Sequence, residues 1–172
     1  MDSASTIRAF KSEDAAAVRN LFIRVNRLLA PPQMKEAFEG YIQRSLAEEI
    51  DRISDYYAEK DGGFWVAVDD HGLAGMFGLE PSGERGMELR RMYVDPERRR
   101  QGIARKMLGF AEDECRRRNR PTVDLSTSEL QRAALALYQN SGYVLVRKEI
   151  ASAASNKTLG GGIHRYHFTK SL

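Results

Sequence analysis

A short basic segment, Arg99 to Ala104, has the residue types and spacing best suited to chemistry in this sequence. It reads Arg-Arg-Gln-Gly-Ile-Ala, follows an apolar run that stops at Asp95-Pro96, and precedes residues with helical spacing. Free backbone amides at a helix start, together with the helix dipole, bind phosphate well, and Gly102 allows a ligand to approach closely. The segment therefore predicts a compact anionic ligand, although it has neither the Lys-Ser/Thr pair of a P-loop nor the three glycines of a dinucleotide-binding fingerprint.

The distribution of charge favours the same kind of ligand. Residues 96–120 hold nine Lys or Arg and four Asp or Glu, whereas the whole chain has a formal net charge of only +3. A local basic stretch in a nearly neutral protein suits a compact anion better than a long polyanion. Nucleic acid favours a broader basic face, so contact through Arg116 to Arg118 and Arg120 is the weaker alternative.

The elements that must position this segment alternate between strand and helix patterns. Apolar residues at helical spacing predict helices over 13–29, 34–57, about 101–115 and 130–138. Strand patterns occupy 6–10, 64–68, 73–79, 87–94, 122–125, 143–150 and 164–168. A three-strand meander followed by strand–helix alternation predicts an α/β (α+β) fold, in which one mixed, mostly antiparallel twisted sheet has helices on both faces. The pattern does not fix the strand order.

Length and composition limit the class of protein. The chain has 172 residues, 42% of them hydrophobic, which suits a single domain over 1–172 with a substantial core. Because the sequence shows neither a long apolar run nor a secretory signal pattern, we expect a soluble, cytoplasmic protein. A lone cysteine excludes an internal disulfide, and the scattered histidines predict no metal site. These residues are Cys115, His71, His164 and His167.

Two motifs in this order resemble the GNAT superfamily of N-acetyltransferases. Residues 99–104 match its [QR]-x-x-G-x-[GA] acyl-CoA motif, and residues 134–143, ALALYQNSGY, resemble its A-x-x-L-Y-x-x-x-G-[FY] segment. The preceding ELRRMYVDPERR is similar to the fourth strand of that family and its exit. The resemblance covers nearly the whole chain. It implies a GNAT-like fold in which the fourth and fifth strands part to admit acetyl-CoA as co-substrate.

The resemblance also implies which residues bind the cofactor. The pantetheine arm would pair with the backbone around Met92, Tyr93 and Val94. Family members often carry an Asn that contacts the cofactor seven residues before the motif tyrosine, and here that position is Gln131, whose longer amide would reach from a shifted position. The pyrophosphate would be received by the backbone amides of Arg99, Arg100, Gln101, Gly102, Ile103, Ala104, Arg105 and Lys106.

The mechanism implied by the resemblance is direct acetyl transfer to an amine, with a backbone amide near Val94 stabilising the oxyanion. Tyr138 occupies the position of the family tyrosine that donates a proton to the leaving thiolate. A lysine-like amine has a pKa of roughly 10.4 and needs a base at neutral pH. Glu88 is the candidate for that base, because family members often carry one on the fourth strand.

The acceptor and the assembly stay open at this stage. The acceptor is an amine of a small molecule or a peptide; the acidic stretch 35–61 hints at a cationic amine through Glu36, Glu39 and Glu48, although a solvated helix surface is the simpler explanation. The alternative function is a non-catalytic module on the same fold that binds acyl-CoA or contacts nucleic acid. Retention of Tyr138 favours the enzyme, and family analogy implies a homodimer.

Overall fold

The computed structural model describes residues 4–151, 153–155 and 160–172, which form a seven-stranded sheet with helices on both faces. The strand order is β1-β2-β3-β4-β5-β7-β6. Every pairing is antiparallel except that of β4 with β5, which is parallel. This confirms the predicted class of sheet. The strands are β1 (Thr6–Ala9), β2 (Gly63–Asp69), β3 (Gly72–Ser82), β4 (Gly86–Val94), β5 (Thr122–Ser128), β6 (Val144–Ala151) and β7 (Ile163–Ser171).

The helices divide between two apolar cores, one on each face of the sheet. Helices α1 to α3 cover one face, with Phe22, Ile42 and Met76 in its core, and α4 and α5 cover the other, around Phe77 and Met107. Burial of such side chains supplies most of the stabilising free energy of a domain of this size. The helices are α1 (Ala15–Leu29), α2 (Lys35–Glu48), α3 (Ile53–Glu59), α4 (Ile103–Arg117) and α5 (Arg132–Asn140).

The helical pattern over 34–57 is interrupted, although not at Gly40, the position where the sequence suggests a break; Gly40 lies inside α2. The segment is two helices, α2 and α3, separated by a 3-10 turn over Ile50–Arg52. Glu49 leaves the helical conformation at φ −141° and ψ −61°, and its side chain is fully buried beside Arg90 and Arg91 on β4. The apolar spacing continues across the break, because both helices bury the same face against the sheet, so the sequence pattern does not reveal it.

The parting of the fourth and fifth strands, which the resemblance implied, is present. Strand β4 pairs with β5 only from Gly86 to Glu88, opposite Thr122 to Asp124. Beyond Glu88 the two strands no longer pair. Near the same point the register between β3 and β4 shifts, and Arg91 adopts φ +54°, so β4 is bulged where it leaves its neighbour.

Candidate functional site

A cavity of about 100 Å³ occupies the opening between β4 and β5. It lies between the helices of the two faces, since it touches Phe38 and Tyr41 of α2 on one side and Ala134 of α5 on the other. We call it the inner cavity. Residues that the sequence singled out and that line it are Glu88, Met92, Tyr93, Gln131 and Tyr138.

Tyr138 projects from α5 into this cavity. Only 6% of the residue is exposed, and its ring packs against Tyr143 and Phe168 at centroid distances of 5.8 and 6.3 Å. Burial, with a smaller contribution from Tyr93, raises the pKa of the Tyr138 phenol above its ordinary value. The hydroxyl is therefore protonated at neutral pH and acts as a hydrogen-bond donor.

Gln131 lines the cavity while its side chain also holds the turn between β5 and α5. Its Oε1 accepts hydrogen bonds from the Thr127 hydroxyl at 2.5 Å and from the backbone N–H of Ser128 at 3.4 Å. The amide that the resemblance predicts for cofactor contact is therefore tied to the protein through its oxygen.

The start of α4 has the geometry of an anion site. Gly102 lies at φ +75°, Arg100 at φ +64°, and a Cβ on Gly102 would meet nothing within 4 Å. The first helical hydrogen bond runs from the Lys106 N–H to the Gly102 carbonyl at 3.0 Å, so the amides of the preceding turn have no helical acceptor. Lys106 differs from the rest of the predicted phosphate set, because its amide is already paired and its ammonium donates to the Ser5 carbonyl.

The arginines around this turn divide into two kinds. Arg98 donates to the Leu73 carbonyl at 2.9 Å and pairs with Asp69 and Asp95, so it fixes the turn to the sheet. Arg99, Arg100 and Arg105 point outward, and within the described ranges they form no ion pair. These arginines add positive potential at a helix start whose dipole already favours anions.

The sequence analysis missed a buried charge cluster behind the cavity. Glu49 is 0% exposed. It accepts hydrogen bonds from Arg91 Nε and Nη2 at 3.1 Å each, from the Tyr57 hydroxyl at 2.8 Å, and from Arg90. Arg91 also donates to the Tyr41 hydroxyl at 2.6 Å. Burial opposes ionisation of Glu49, but the two guanidiniums outweigh it and hold its pKa below the ordinary range. We call these five residues the Glu49 cluster.

The Glu49 cluster fixes the shape of the β4 bulge. Arg91 is the residue at positive φ in the bulge, a conformation that costs a non-glycine residue of the order of 1 kcal/mol. Its guanidinium is held by Glu49 and Tyr41, and Met92 and Tyr93 follow directly in the cavity wall. Two consecutive arginines inside an apolar strand were the signal in the sequence that a buried acid must face them.

Glu88 lies on β4 at the last pair before the strands part, opposite Asp124 on β5 and Glu80 on β3. It lines the inner cavity and also a second cavity of about 670 Å³, the outer cavity. Ser126 and Arg165 line both cavities as well. Glu88 therefore lies between the outer cavity and the inner cavity, and Tyr138 lines the inner cavity as well.

The acidic residues of α2 are not part of either cavity. Glu36 and Glu48 are exposed, and Glu39 pairs with Arg27 at 2.7 Å. The structure therefore gives no support to the hint of a cationic acceptor that came from these carboxylates.

The basic C-terminal end of α4 is neutralised within the chain. Arg116 pairs with Asp113 at 2.8 Å, and Arg117 and Arg118 both pair with Glu114. Arg120 donates to the carbonyls of Gly83 and Glu84 at 3.3 and 2.8 Å. These arginines stabilise local structure, which weakens the case for a nucleic-acid contact there.

The remaining reactive residue types do not gather into a second site in the described ranges. Cys115 is buried in the core beneath α4, and burial raises the pKa of its thiol to about 11. Groups of His, Cys, Asp or Glu suited to holding a metal ion are absent from the part of the chain that the structure describes. In the same part, every helix is too short or too polar to cross a membrane.

Sequence comparison finds relatives among acetyltransferases. Residues 29–143 match the acetyltransferase (GNAT) family. Human N-acetyltransferase 8 is 31% identical over 115 residues, which are 63% of this chain and 51% of that protein. Rat N-acetyltransferase family 8 member 2 is 28% identical over 138 residues, 77% of this chain and 60% of that protein. The chain thus spans about half the length of the curated relatives it matches.

Solved structures share the whole fold. The PaiA N-acetyltransferase of Thermoplasma acidophilum in complex with coenzyme A superposes with a TM-score of 0.76 at 17% identity, over 98% of this chain and 99% of that one. The spermidine N-acetyltransferase of Vibrio cholerae, in complex with CoA and spermine, gives 0.68 at 18% identity, over 97% and 95%. At such identities the likeness concerns the fold alone. The family match, however, spans the parted strands and the start of α4, and this chain belongs to the GNAT acetyltransferase family.

Proposed function

We propose that this protein is an acetyl-CoA-dependent N-acetyltransferase that moves the acetyl group directly to a primary amine of a small molecule or peptide. The observation that carries the proposal is the opening between β4 and β5, where the bulged strand, Tyr138 and Glu88 line one cavity. The family match supports the same conclusion.

Acetyl-CoA would be bound mainly by backbone groups. The pantetheine arm would follow β4 along Met92, Tyr93 and Val94, and the pyrophosphate would meet the amides that precede the first hydrogen bond of α4. Such amides bind phosphate without a dedicated side chain. Arg99, Arg100 and Arg105 would add attraction from the surface, and the strained bulge would present its amides in a fixed direction.

In the transfer step, the neutral amine attacks the thioester carbonyl carbon, a C–N bond forms, and the C–S bond breaks. A backbone amide near Val94 would stabilise the oxyanion. The amine proton would pass to Glu88, directly or through water, and the electron pair of the C–S bond stays on sulfur. Because burial raises the pKa of Tyr138, its hydroxyl acts as a protonated donor to the developing thiolate rather than as a strong acid.

The second candidate is a non-catalytic module that binds acyl-CoA through the same backbone groups. Tyr138 distinguishes the two, because it lines the inner cavity and a module that only binds acyl-CoA does not need a proton donor there. Thiol release from acetyl-CoA over a panel of amines tests the choice. Amine-dependent release supports the enzyme, whereas acetyl-CoA binding with no release by any amine supports the binding module.

A homodimer is proposed on family analogy and on one feature of the surface. Strand β6 is an edge of the sheet, and Val144, Val146 and Ile150 on it are each at least 60% exposed. An exposed apolar edge strand is suited to pairing with a second copy. Light scattering during size-exclusion chromatography tests this, and a monomer would contradict it. The cytoplasmic location stays a prediction.

A further inference from the structure

Arg165, on β7, is an arginine in the site without a carboxylate partner in the described ranges. Its Nη2 donates to the Ser126 hydroxyl at 2.9 Å, and no described Asp or Glu lies within ion-pair distance of it. Arg90 and Arg91 in the same cavity wall are, in contrast, both paired with Glu49. Arg165 therefore differs from its neighbours in having charge that the described protein does not neutralise by contact.

Arg165 lies between the two cavities of the candidate site. It lines the inner cavity, which holds Tyr138, and the outer cavity, which opens beside β6 and β7. Glu88 and Ser126 share this boundary. In the proposed acetyltransferase the pyrophosphate is bound at the start of α4, so the boundary formed by Glu88, Ser126 and Arg165 is the part of the opening that we assign to the second substrate.

The energetics of Arg165 favour an anionic ligand. Burial lowers the pKa of its guanidinium, and the electrostatic effects of Tyr41, Tyr93, Glu149 and Glu88 offset this only in part. A buried cation is costly when the carboxylates that act on it lie outside ion-pair distance and compensate the lost water only in part. A ligand carboxylate would recover that cost, since the planar guanidinium fork matches a carboxylate with two parallel hydrogen bonds.

We infer that the acceptor is an amine that also carries a carboxylate, and that Arg165 binds this carboxylate while the amine faces Glu88. The inference rests on the proposed acetyltransferase function and names the substrate class of that same site. It distinguishes amino-acid-like acceptors from polyamines and from other amines without an acidic group. In this account Arg165 determines specificity and takes no part in bond making or breaking.

Matched acceptors that differ only in the carboxylate test the inference. We would compare kcat/KM for phenylalanine with phenethylamine, tyrosine with tyramine, and methionine with 3-(methylthio)propylamine, and include spermidine. The wild type should prefer the amino acid of each pair by about tenfold or more, the effect of one charged hydrogen-bonded contact. Arg165→Gln should lower the acid-to-amine ratio by about 10- to 100-fold.

The control is Arg147→Gln. Arg147 lines only the outer cavity, its side chain is 62% exposed, and it pairs with Glu149 at 3.8 Å. The acid-to-amine ratio should not change in this variant. Arg165→Lys, which keeps the charge and loses the fork, should give an intermediate ratio. If Arg165→Gln fails to fold, Ser126→Ala removes the hydrogen bond to the guanidinium and should lower the ratio by a smaller factor.

Acetyl-CoA affinity measured on the same preparations distinguishes failure of the acetyltransferase function from failure of the inference about the acceptor. If acetyl-CoA does not bind, the acetyltransferase function fails and this inference fails with it. If acetyl-CoA binds and the decarboxylated amines or spermidine react as well as the acids, only the inference is overturned. The same holds if no carboxylate-bearing amine is acetylated, or if Arg165→Gln and Arg147→Gln change the ratio equally.

Discussion

Two arginines that line the inner cavity, Arg91 on β4 and Arg165 on β7, are held in different ways. Arg91 has its guanidinium paired with the buried Glu49 and with Tyr41, whereas Arg165 has one hydroxyl partner, Ser126. The charge of Arg91 is satisfied inside the protein and holds a strained bulge. That of Arg165 has no carboxylate within ion-pair distance among the described residues. The same residue type thus supports the fold at one wall and, we propose, recognition at the other.

The largest expected effect is the loss of the acid that holds Arg90 and Arg91. Glu49→Gln leaves the buried Arg91 without its carboxylate partner and leaves Arg90 with only Glu80, at 3.3 Å. Removal of one partner from a buried ion pair costs about 3–5 kcal/mol of unfolding free energy. Urea unfolding followed by circular dichroism measures it. Glu39→Gln, which breaks the exposed pair with Arg27, is the control and should have only a small effect. Equal losses in the two variants would show that the buried cluster contributes no more to the free energy of unfolding than an exposed ion pair does.

Lowering the pH should remove the stabilisation that the ionised Glu49 provides. The pKa of Glu49 is lowered in the folded protein, so its contribution is present above the unfolded-state pKa of about 4.3 and is lost as the pH falls through the folded value. The difference in unfolding free energy between the wild type and Glu49→Gln should therefore shrink below about pH 4. A difference that stays constant down to pH 3 would contradict the assignment of an ionised Glu49.

Tyr138 extends the comparison to an uncharged group that lines the inner cavity and that we propose contacts the acetyl-CoA sulfur. Tyr138→Phe keeps the packed ring and removes the donor to the thiolate, so turnover should fall about 100-fold. Acetyl-CoA affinity and the free energy of unfolding should change little. Steady-state thiol release, calorimetric titration and urea unfolding measure the three quantities. Unchanged turnover would remove Tyr138 from the mechanism.

The smallest expected effect is that of Arg165 on stability. Because the described protein gives its guanidinium one hydroxyl partner, Arg165→Gln should lower the free energy of unfolding by less than about 1.5 kcal/mol. Arg91→Gln should cost several times more, since it breaks contacts with both Glu49 and Tyr41. Urea unfolding of the two variants side by side measures the contrast. Equal losses would place Arg165 among the residues that support the fold.

The residues proposed to bind the cofactor could be predicted from the sequence because they lie close together along the chain. The turn from Arg99 to Ala104 and the start of α4 lie within a few residues of one another, and Tyr138 belongs to a second short motif. The seven strands and the mixed sheet were predicted from the pattern, and the parting of β4 and β5 was implied by the resemblance to the GNAT superfamily. Backbone groups at a helix start need only glycine and helical spacing, both of which the sequence displays.

Apart from Glu88, the residues of the proposed acceptor side were not predictable, because they meet through the sheet register. Arg165 reaches Ser126 only because β7 inserts between β5 and β6, and the sequence pattern left the strand order open. Glu49 was hidden for a related reason, since its role depends on a break between α2 and α3 that the apolar spacing does not show. The roles of Tyr138, Glu88 and the predicted cofactor residues stay predictions.

Calorimetric titration with acetyl-CoA, alongside desulfo-CoA and ATP, tests the central claim most directly. If the opening between β4 and β5 and the start of α4 form the cofactor site, both CoA compounds bind with similar affinity, because the backbone contacts do not depend on the thiol. ATP, which lacks the pantetheine arm, binds much more weakly or not at all. Absence of binding by either CoA compound would contradict the acetyltransferase function and leave the basic segment 96–120 in need of another anion.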